Sequence, residues 1–282
     1  MNRAYFQGLK VVANQDDIFD PAFIFEIDTT RAGVTNSDQF QFTGANGEYD
    51  VLAFQGGVEV ASFSNLVDQE TITLPSAGAF ELRVIPKNTG FDKMGFNGGG
   101  DRLKMGNVLQ WGDYGVNEPI QSGAFRGCGN LKEISDDGKW FNVVANGFLM
   151  FRDCDLSTLP SGMYLPLLSN GNSMFQNNSI ELLPSGMELP LLSNGNNMFT
   201  NNNLSSLPSG MGLPNLTTGI NMFINNTINT TRYSQLLIDL EANNPNNNVT
   251  FHGGNSQYNT QGETARDALT ARGWTITDGG LE

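Results

Sequence analysis

The chain has 282 residues, which is enough for two domains. Its 29 acidic residues outnumber 15 Lys and Arg, giving a formal net charge of −14. This acidity argues against nucleic-acid binding, which requires a basic surface. Because no stretch approaches ~18 unbroken apolar residues, we expect no membrane-spanning segment.

Residues 1–21 are predicted to form an N-terminal arm. Turn-forming residues such as Asn14, Asp16 and Pro21 are frequent there, and apolar residues are sparse. The arm either folds onto the next domain or anchors the chain to a partner protein. The segment also lacks the apolar core of a secretory signal.

Residues 22–90 alternate between apolar and polar side chains in short runs, as β-strands do. Turns rich in Gly and Asn separate these runs. Several short strands within such a length predict an antiparallel β-sandwich. The runs lie at residues 23–27, 40–42, 49–53, 58–60, 71–74 and 80–84.

Residues 91–123 are predicted to connect the sandwich to the second half of the chain. The Gly-rich run at residues 98–100 could cradle a phosphate only between a strand and a helix, and no helical pattern follows it. We therefore interpret the run as a turn. Trp111 is expected to plug the near end of the following core, with a sugar-stacking platform as the alternative.

A 24-residue repeat dominates residues 124–229. Met-Phe pairs recur at residues 150–151, 174–175, 198–199 and 222–223, and Leu-Pro-Ser-Gly-Met follows the first three. A fixed period of this size is typical of a solenoid. We expect a short strand in each coil near residues 156–159 and their equivalents, stacked into a parallel sheet.

Cys or Asn stands three residues after the Phe of each repeat. Because a buried Asn both donates and accepts, it can satisfy backbone groups that turn inward. Cys suits the same position as a small apolar residue with a weak donor. We predict a buried structural ladder with free thiols; a disulfide between neighbouring rungs is the alternative. The ladder residues are Cys128, Cys154, Asn178, Asn202 and Asn226.

The full repeat pattern, Ala/Met-Phe-x-x-Cys/Asn-x-Leu-x-x-Leu-Pro, resembles the BspA-like, or treponemal-type, leucine-rich-repeat surface proteins. The resemblance covers residues 91–282 and implies a leucine-rich-repeat solenoid. The N-terminal module is similar to the Ig-like or PKD-like sandwich that often precedes such repeats. Those modules commonly carry Trp-Gly-Asp-Gly, where this chain has Phe-Gln-Gly-Gly at residues 54–57.

Residues 230–282 are predicted to close the stack as an α/β cap, because a solenoid needs a distinct element over its open core. Thr231 is expected to cap a first helix, and a second helix is expected over residues 264–272. Strands are predicted at residues 249–251 and 274–277. His252 is expected to donate a hydrogen bond to the backbone of this cap.

Nothing in the sequence assembles an active site. The chain has one His, no Cys-x-x-Cys and no Gly-x-Ser-x-Gly elbow, so we expect no catalytic residue, metal or cofactor. The acidic group Glu133, Asp136 and Asp137 is interpreted as a solvated loop.

The repeats also carry a candidate binding face, because solenoids usually bind through a repeated exposed column. Plain solvated surface is the alternative interpretation of these positions. The face comprises Ser157, Thr158, Glu181, Leu182, Ser205 and Ser206.

The chain is thus predicted to be mainly β: an antiparallel Ig/PKD-like sandwich, a leucine-rich-repeat solenoid and an α/β C-terminal cap. The expected function is a non-enzymatic structural and binding protein of a bacteriophage virion, as a capsid decoration, head fibre or tail receptor-binding protein. Expected partners are other virion proteins, through the arm, and a host-surface glycan or protein. A BspA-like adhesin on a bacterial cell surface is the alternative, and the missing export signal favours the virion surface.

Overall fold

The computed structural model describes residues 21–87, 91, 93–115, 120 and 122–282. The chain is mainly β, with 24% strand and 12% helix, which confirms the predicted class. Apart from Pro21, the predicted arm lies outside the described residues. In the part of the chain that is described, no helix has both the length and the apolar character needed to cross a membrane.

Seven strands lie in the described part of the N-terminal half: β1 (Phe23–Asp28), β2 (Gln39–Gln41), β3 (Glu48–Gln55), β4 (Val58–Val67), β5 (Thr71–Thr73), β6 (Ala79–Pro86) and β7 (Met105–Gln110). Five of them pair in the order β4-β3-β6-β1-β7, and every pairing is antiparallel. Strands β2 and β5 form a separate antiparallel pair. The antiparallel sheet is therefore confirmed, and its assignment to an Ig-like or PKD-like sandwich stays a prediction.

The inner face of the sheet is apolar because the strand register places apolar side chains of neighbouring strands opposite one another. Phe25 of β1 lies opposite Leu82 of β6, which in turn lies opposite Ala53 of β3. The ring of Phe40 in β2 and that of Phe42 just after β2 pack against Phe25. Their centroids lie 5.9 and 6.4 Å from that of Phe25. All five side chains are buried. Contacts between such rings add to the stabilisation that burial already provides.

Strand β7 belongs to both halves of the molecule, although its residues were predicted to lie in the connector over residues 91–123. Its residue Val108 lies opposite Phe25 of β1 and also forms a parallel bridge with Ile134. The backbone N–H of Val108 donates to the carbonyl of Glu133 at 3.1 Å. The sheet thus extends beyond residue 90, and its last strand is the first step of the repeat region.

Trp111 joins the two cores, because its indole is fully buried between them. It stacks on Phe23 of the sheet at 5.6 Å and meets Phe125 and Trp140 edge-on at 5.6 and 5.3 Å. Its ring N–H donates to the carbonyl of Ser135 at 3.0 Å. A ring with no exposed surface cannot be a sugar-stacking platform, so that alternative is wrong.

Asp137 has a structural role that the solvated-loop interpretation missed. Its carboxylate accepts hydrogen bonds from the backbone N–H groups of Trp111 and Gly112, at distances of 3.1 to 3.3 Å. Asp137 itself is exposed, as are Glu133 and Asp136. The carboxylate of Asp137 therefore stabilises the turn that places Trp111 between the sheet and the repeat region.

The repeat region is a stack of 24-residue units held around a column of aromatic rings. Neighbouring rings in this column lie face to face, with centroids 5.3 to 5.8 Å apart and planes within 8° of parallel. The backbone also joins the units: Phe175 N–H donates to Met198 O at 3.0 Å, and Phe199 N–H to Met222 O at 3.0 Å. The column comprises Phe125, Phe151, Phe175, Phe199 and Phe223.

The strands predicted near residues 156–159 and their equivalents do not form. Isolated parallel bridges occur instead at Asn146, Asn170, Asn194 and Thr218, and between Leu182 and Ser206. Two features prevent continuous strands from forming. Proline in each Leu-Pro-Ser-Gly-Met motif has no N–H to donate. In addition, Asn side chains of the structural ladder accept from backbone N–H groups such as that of Leu156, which are then not available to a neighbouring strand. Since no solenoid is detected in the described residues, the leucine-rich-repeat assignment stays a prediction.

The C-terminal part contains two helices and two strands in the described residues: α1 (Thr230–Asn243), β8 (Thr250–His252), α2 (Thr260–Ala271) and β9 (Thr275–Thr277). Strands β8 and β9 pair in parallel. Phe251 of β8 packs edge-on against the last ring of the column, Phe223, at 6.2 Å. Phe223 N–H donates to His252 O at 3.1 Å. This α/β segment therefore covers the far end of the stack.

Three details of the cap differ from the sequence expectations. Asn229, not Thr231, caps α1, because its side chain accepts from the N–H of Arg232. Helix α2 begins at residue 260, where Asn259 caps it. His252 does not donate to backbone: its Nδ1 accepts from Gly254 N–H at 3.1 Å, and partial burial lowers its pKa.

Candidate binding face on the repeat units

The inner side of the candidate face is fixed by ladder residues, of which Asn202 is representative. Its Nδ2 donates to the carbonyls of Phe175 and Phe199, at 2.8 and 3.0 Å. Its Oδ1 accepts from Ile180 N–H at 3.1 Å. The residue is only 4% exposed. One buried amide therefore satisfies three backbone groups and ties two successive units together.

The other two ladder amides repeat this geometry. Asn178 donates to Phe151 O at 2.9 Å and accepts from Leu156 N–H at 3.0 Å. Asn226 donates to the carbonyl of Phe199 at 2.8 Å and accepts from Leu204 N–H at 2.9 Å. Because each bond reaches into the preceding unit, the three amides hold the spacing between units constant.

The two cysteines occupy the first positions of the column as free thiols. Cys154 Sγ donates to Phe125 O at 3.1 Å, which is one of the bonds that an Asn makes at later positions. Cys128 is fully buried. Burial raises the pKa of both thiols above the ordinary value, so neither ionises readily while the chain is folded.

The column ends on a residue that sequence reasoning missed. The N–H of Ile228 donates to Ser256 Oγ at 2.9 Å, where an Asn side chain would accept in earlier units. Ser256 is fully buried within the cap. It lies outside the 24-residue period, so no spacing signal could have identified it.

The structure brings the candidate face residues of adjacent units side by side. Ser205 N–H donates to Glu181 O at 3.2 Å, and Leu182 bridges to Ser206. Ser157 is joined to the preceding unit, because its N–H donates to Lys132 O at 3.3 Å. The predicted columns are thus contiguous in space.

Exposure along this face is high but not uniform. Leu182 is 59% exposed, and Ser157, Thr158, Glu181 and Ser205 are also exposed. Ser206 is half-buried. The face therefore offers hydroxyl groups, one apolar side chain and a single carboxylate. This chemistry suits hydrogen bonding to neutral polar groups rather than attraction of a highly charged partner.

A second column of amides lies beside the ladder and was not singled out from the sequence. In it, Asn177 Nδ2 donates to Asp153 Oδ1, Asn201 to Asn177, and Asn225 to Asn201, at 2.6 to 2.7 Å. All four residues have φ between 56° and 59°, a conformation that Asn and Asp tolerate better than most residues. Their recurrence directly before each ladder position is the signal that could have found them.

The described residues contain no group of three or more His, Cys, Asp or Glu side chains placed to hold a metal ion. The buried Asn side chains of the ladder are committed to hydrogen bonds with the backbone. What the face provides is therefore a rigid, regularly spaced surface.

Comparisons with protein families, with curated proteins and with solved structures found no match to this chain.

Proposed function

We propose that residues 124–229 form a leucine-rich-repeat solenoid of the BspA-like type, preceded by an Ig/PKD-like sandwich over residues 22–90. The observation that supports this assignment is the ladder of Asn178, Asn202 and Asn226. Each amide bonds backbone groups of its own and the preceding unit. Such bonding is the physical reason for Asn at the fixed position of leucine-rich repeats.

On this fold, the chain functions as a non-enzymatic structural and binding protein on the surface of a bacteriophage virion. It serves as a capsid decoration, head fibre or tail receptor-binding protein. The contiguous face from Ser157 to Ser206 contacts a glycan or protein of the host surface. The net charge of −14 supports this role, because like-charged copies on a crowded particle repel one another. The arm, residues 1–21, contacts other virion proteins.

A bacterial cell-surface adhesin is the second candidate function. The repeat pattern that resembles BspA-like surface proteins favours it. In both functions the same face would bind, but the chain would be attached to a particle in one and to a cell in the other. The location of the native protein therefore separates them, whereas a binding assay with purified protein tests what they share.

Binding of the purified, labelled chain to intact host cells tests the face. We expect the variant Leu182→Glu/Ser205→Glu to bind at least about tenfold less than wild type, because two added carboxylates oppose desolvation of the contact. The matched control is Val58→Glu, since Val58 is 65% exposed on β4 and lies far from the repeats in sequence. Equal binding by all three proteins, or an equal loss in the control, would refute the assignment of the face.

A further inference from the structure

A cleft of about 540 Å³ lies between the outer face of the sheet and the first repeat unit. Its floor includes Glu26, Glu81 and Phe54 from three neighbouring strands. Glu26 of β1 lies opposite Glu81 of β6, and Glu81 lies opposite Phe54 of β3. Asn130 and Lys132 of the first repeat unit line the other side. The volume falls within the range of about 300–1,000 Å³ that is typical of small-molecule sites.

Glycine residues keep this cleft open. At Gly106 on β7, an added Cβ would lie 3.0 Å from Cβ of Glu26, so a larger residue would crowd the floor. At the far end, Gly56 and Gly57 form the β3–β4 turn with φ of 57° and 80°, and open space lies beside both. No side chain from either position enters the space above the floor.

The two glutamates on the floor create an electrostatic cost that the fold does not offset fully. Like charges directly opposite each other on antiparallel strands are destabilising. Glu81 is balanced by Arg83, whose Nε lies 2.7 Å from Oε1. The carboxylate of Glu26 makes no hydrogen bond or ion pair with any described residue. Glu26 thus presents two free acceptor oxygens to the cleft.

The aromatic part of the floor is held in place by the same arginine. The guanidinium carbon of Arg83 lies 4.3 Å from the ring centroid of Phe54, and this ring is only half-buried. An aromatic ring beside strong acceptors matches a sugar, whose C–H faces are apolar and whose hydroxyl groups donate hydrogen bonds. The floor therefore combines the two kinds of contact that hold a sugar ring.

The charge around the cleft disfavours anionic ligands. Asp28 is paired with Arg31 at 3.2 Å, and Lys132 lies 3.8 Å from Asp155. With Glu81 also paired, the lining is close to neutral apart from Glu26. The chain as a whole carries −14, which opposes polyanions. The described residues also offer no metal-holding group here.

We infer that this cleft binds a short neutral oligosaccharide. Glu26 and Glu81 accept hydrogen bonds from its hydroxyl groups, Phe54 packs against a sugar ring, and Lys132 donates from the rim. The site lies on the N-terminal sheet and its junction with the repeats. It is distinct from the repeat face and does not depend on the proposed function.

Ligand-observed NMR and calorimetry on the full chain test the inference. The neutral probes are maltotriose, cellotriose and triacetylchitotriose, and the charged comparators are sialyllactose and deacetylated chitotriose. We expect at least one neutral probe to bind. Glu26→Gln and Phe54→Leu should each weaken that binding about tenfold or more. The first exchanges a carboxylate for an amide with a single acceptor oxygen, and the second removes the aromatic ring. Leu182→Glu, on the repeat face, should leave it unchanged.

The matched control is Glu59→Gln, because Glu59 lies opposite Phe54 on the outer strand β4 but does not line the cleft. It makes the same chemical change as Glu26→Gln and should bind like wild type. Three results would overturn the inference: no binding of any neutral probe up to about 10 mM, equal weakening by both Glu→Gln variants, or binding of the charged comparators alone. Failure here would leave the cell-binding experiment on the repeat face unaffected.

Discussion

Replacing Asp101 with Asn is expected to lower the free energy of unfolding by about 3–5 kcal/mol, because it leaves a buried charge without its partner. Asp101 and Lys104 form an ion pair whose side chains are 0% and 1% exposed. The carboxylate of Asp101 accepts from the backbone N–H groups of Val34, Thr35 and Gln41. An amide cannot replace these bonds, since half of its polar head is a donor.

Lys104 explains why the loss should be large. Its ammonium lies 3.8 Å from Asp101 and donates to the carbonyls of Thr35, Asn36 and Gln39 at 2.8 to 3.2 Å. The pair therefore fastens the segment before β7 to the loop between β1 and β2. Without the carboxylate, the ammonium keeps its desolvation penalty but loses its counter-charge.

Urea denaturation of Asp101→Asn and of a matched control measures the effect. The control is Arg31→Gln, which breaks the ion pair with Asp28 at a site where both side chains are 30–40% exposed. Exposed pairs of this kind contribute about 0.2–1 kcal/mol. A loss in Asp101→Asn no greater than that in Arg31→Gln would contradict the structural role of the buried pair.

Replacing Asn202 with Leu is expected to reduce stability by about 1–3 kcal/mol or more. The buried N–H of Ile180 loses its partner, and the carbonyls of Phe175 and Phe199 each lose one of two side-chain donors. Leu is similar in size, so the change removes hydrogen bonding and leaves no large cavity.

The neighbouring residue supplies the control for this ladder prediction. Asn203 is exposed, and the same Asn→Leu change there should alter the free energy of unfolding by less than about 0.5 kcal/mol. Both variants can be compared by chemical denaturation against wild type. A change within about 0.5 kcal/mol for Asn202→Leu would show that the ladder amide does not stabilise the stack.

The ladder could be predicted from sequence because its signal is periodic. Asn178, Asn202 and Asn226 recur at 24 residues, and the donor and acceptor groups of Asn suggest what they bond. The buried pair at Asp101 and Lys104 carries no such signal. Its partners lie 60 to 69 residues earlier in the chain, so only the tertiary fold brings them together.

Local patterns predicted the kinds of elements better than their details. Alternation in β6, and in β1 apart from the buried Ile24, was sufficient to indicate an antiparallel sheet. The helix start at Asn229 was missed since both Asn and Thr make good caps and stand two residues apart. The prediction of strands near Leu156 was wrong, because an Asn side chain rather than a neighbouring strand accepts the backbone N–H of Leu156.

The candidate face could be predicted from the sequence, whereas the cleft could not. The period placed Glu181 and Leu182 on the surface, and their exposure follows from the buried positions on either side. The cleft beside Glu26 could not be anticipated, because its lining comes from four strands and the first repeat unit. Its glutamates are distant in sequence and meet only through the β1–β6 register.

Quantitative mass spectrometry of purified virions decides between the two proposed locations. The sample is a gradient-purified phage whose genome encodes this chain, and surface fractions of uninfected host cells serve as the comparison. We expect the chain in the virions at a fixed, multi-copy ratio to the major capsid protein. Its absence from the virions, together with its recovery from the surface of uninfected cells, would contradict the virion function and support the adhesin.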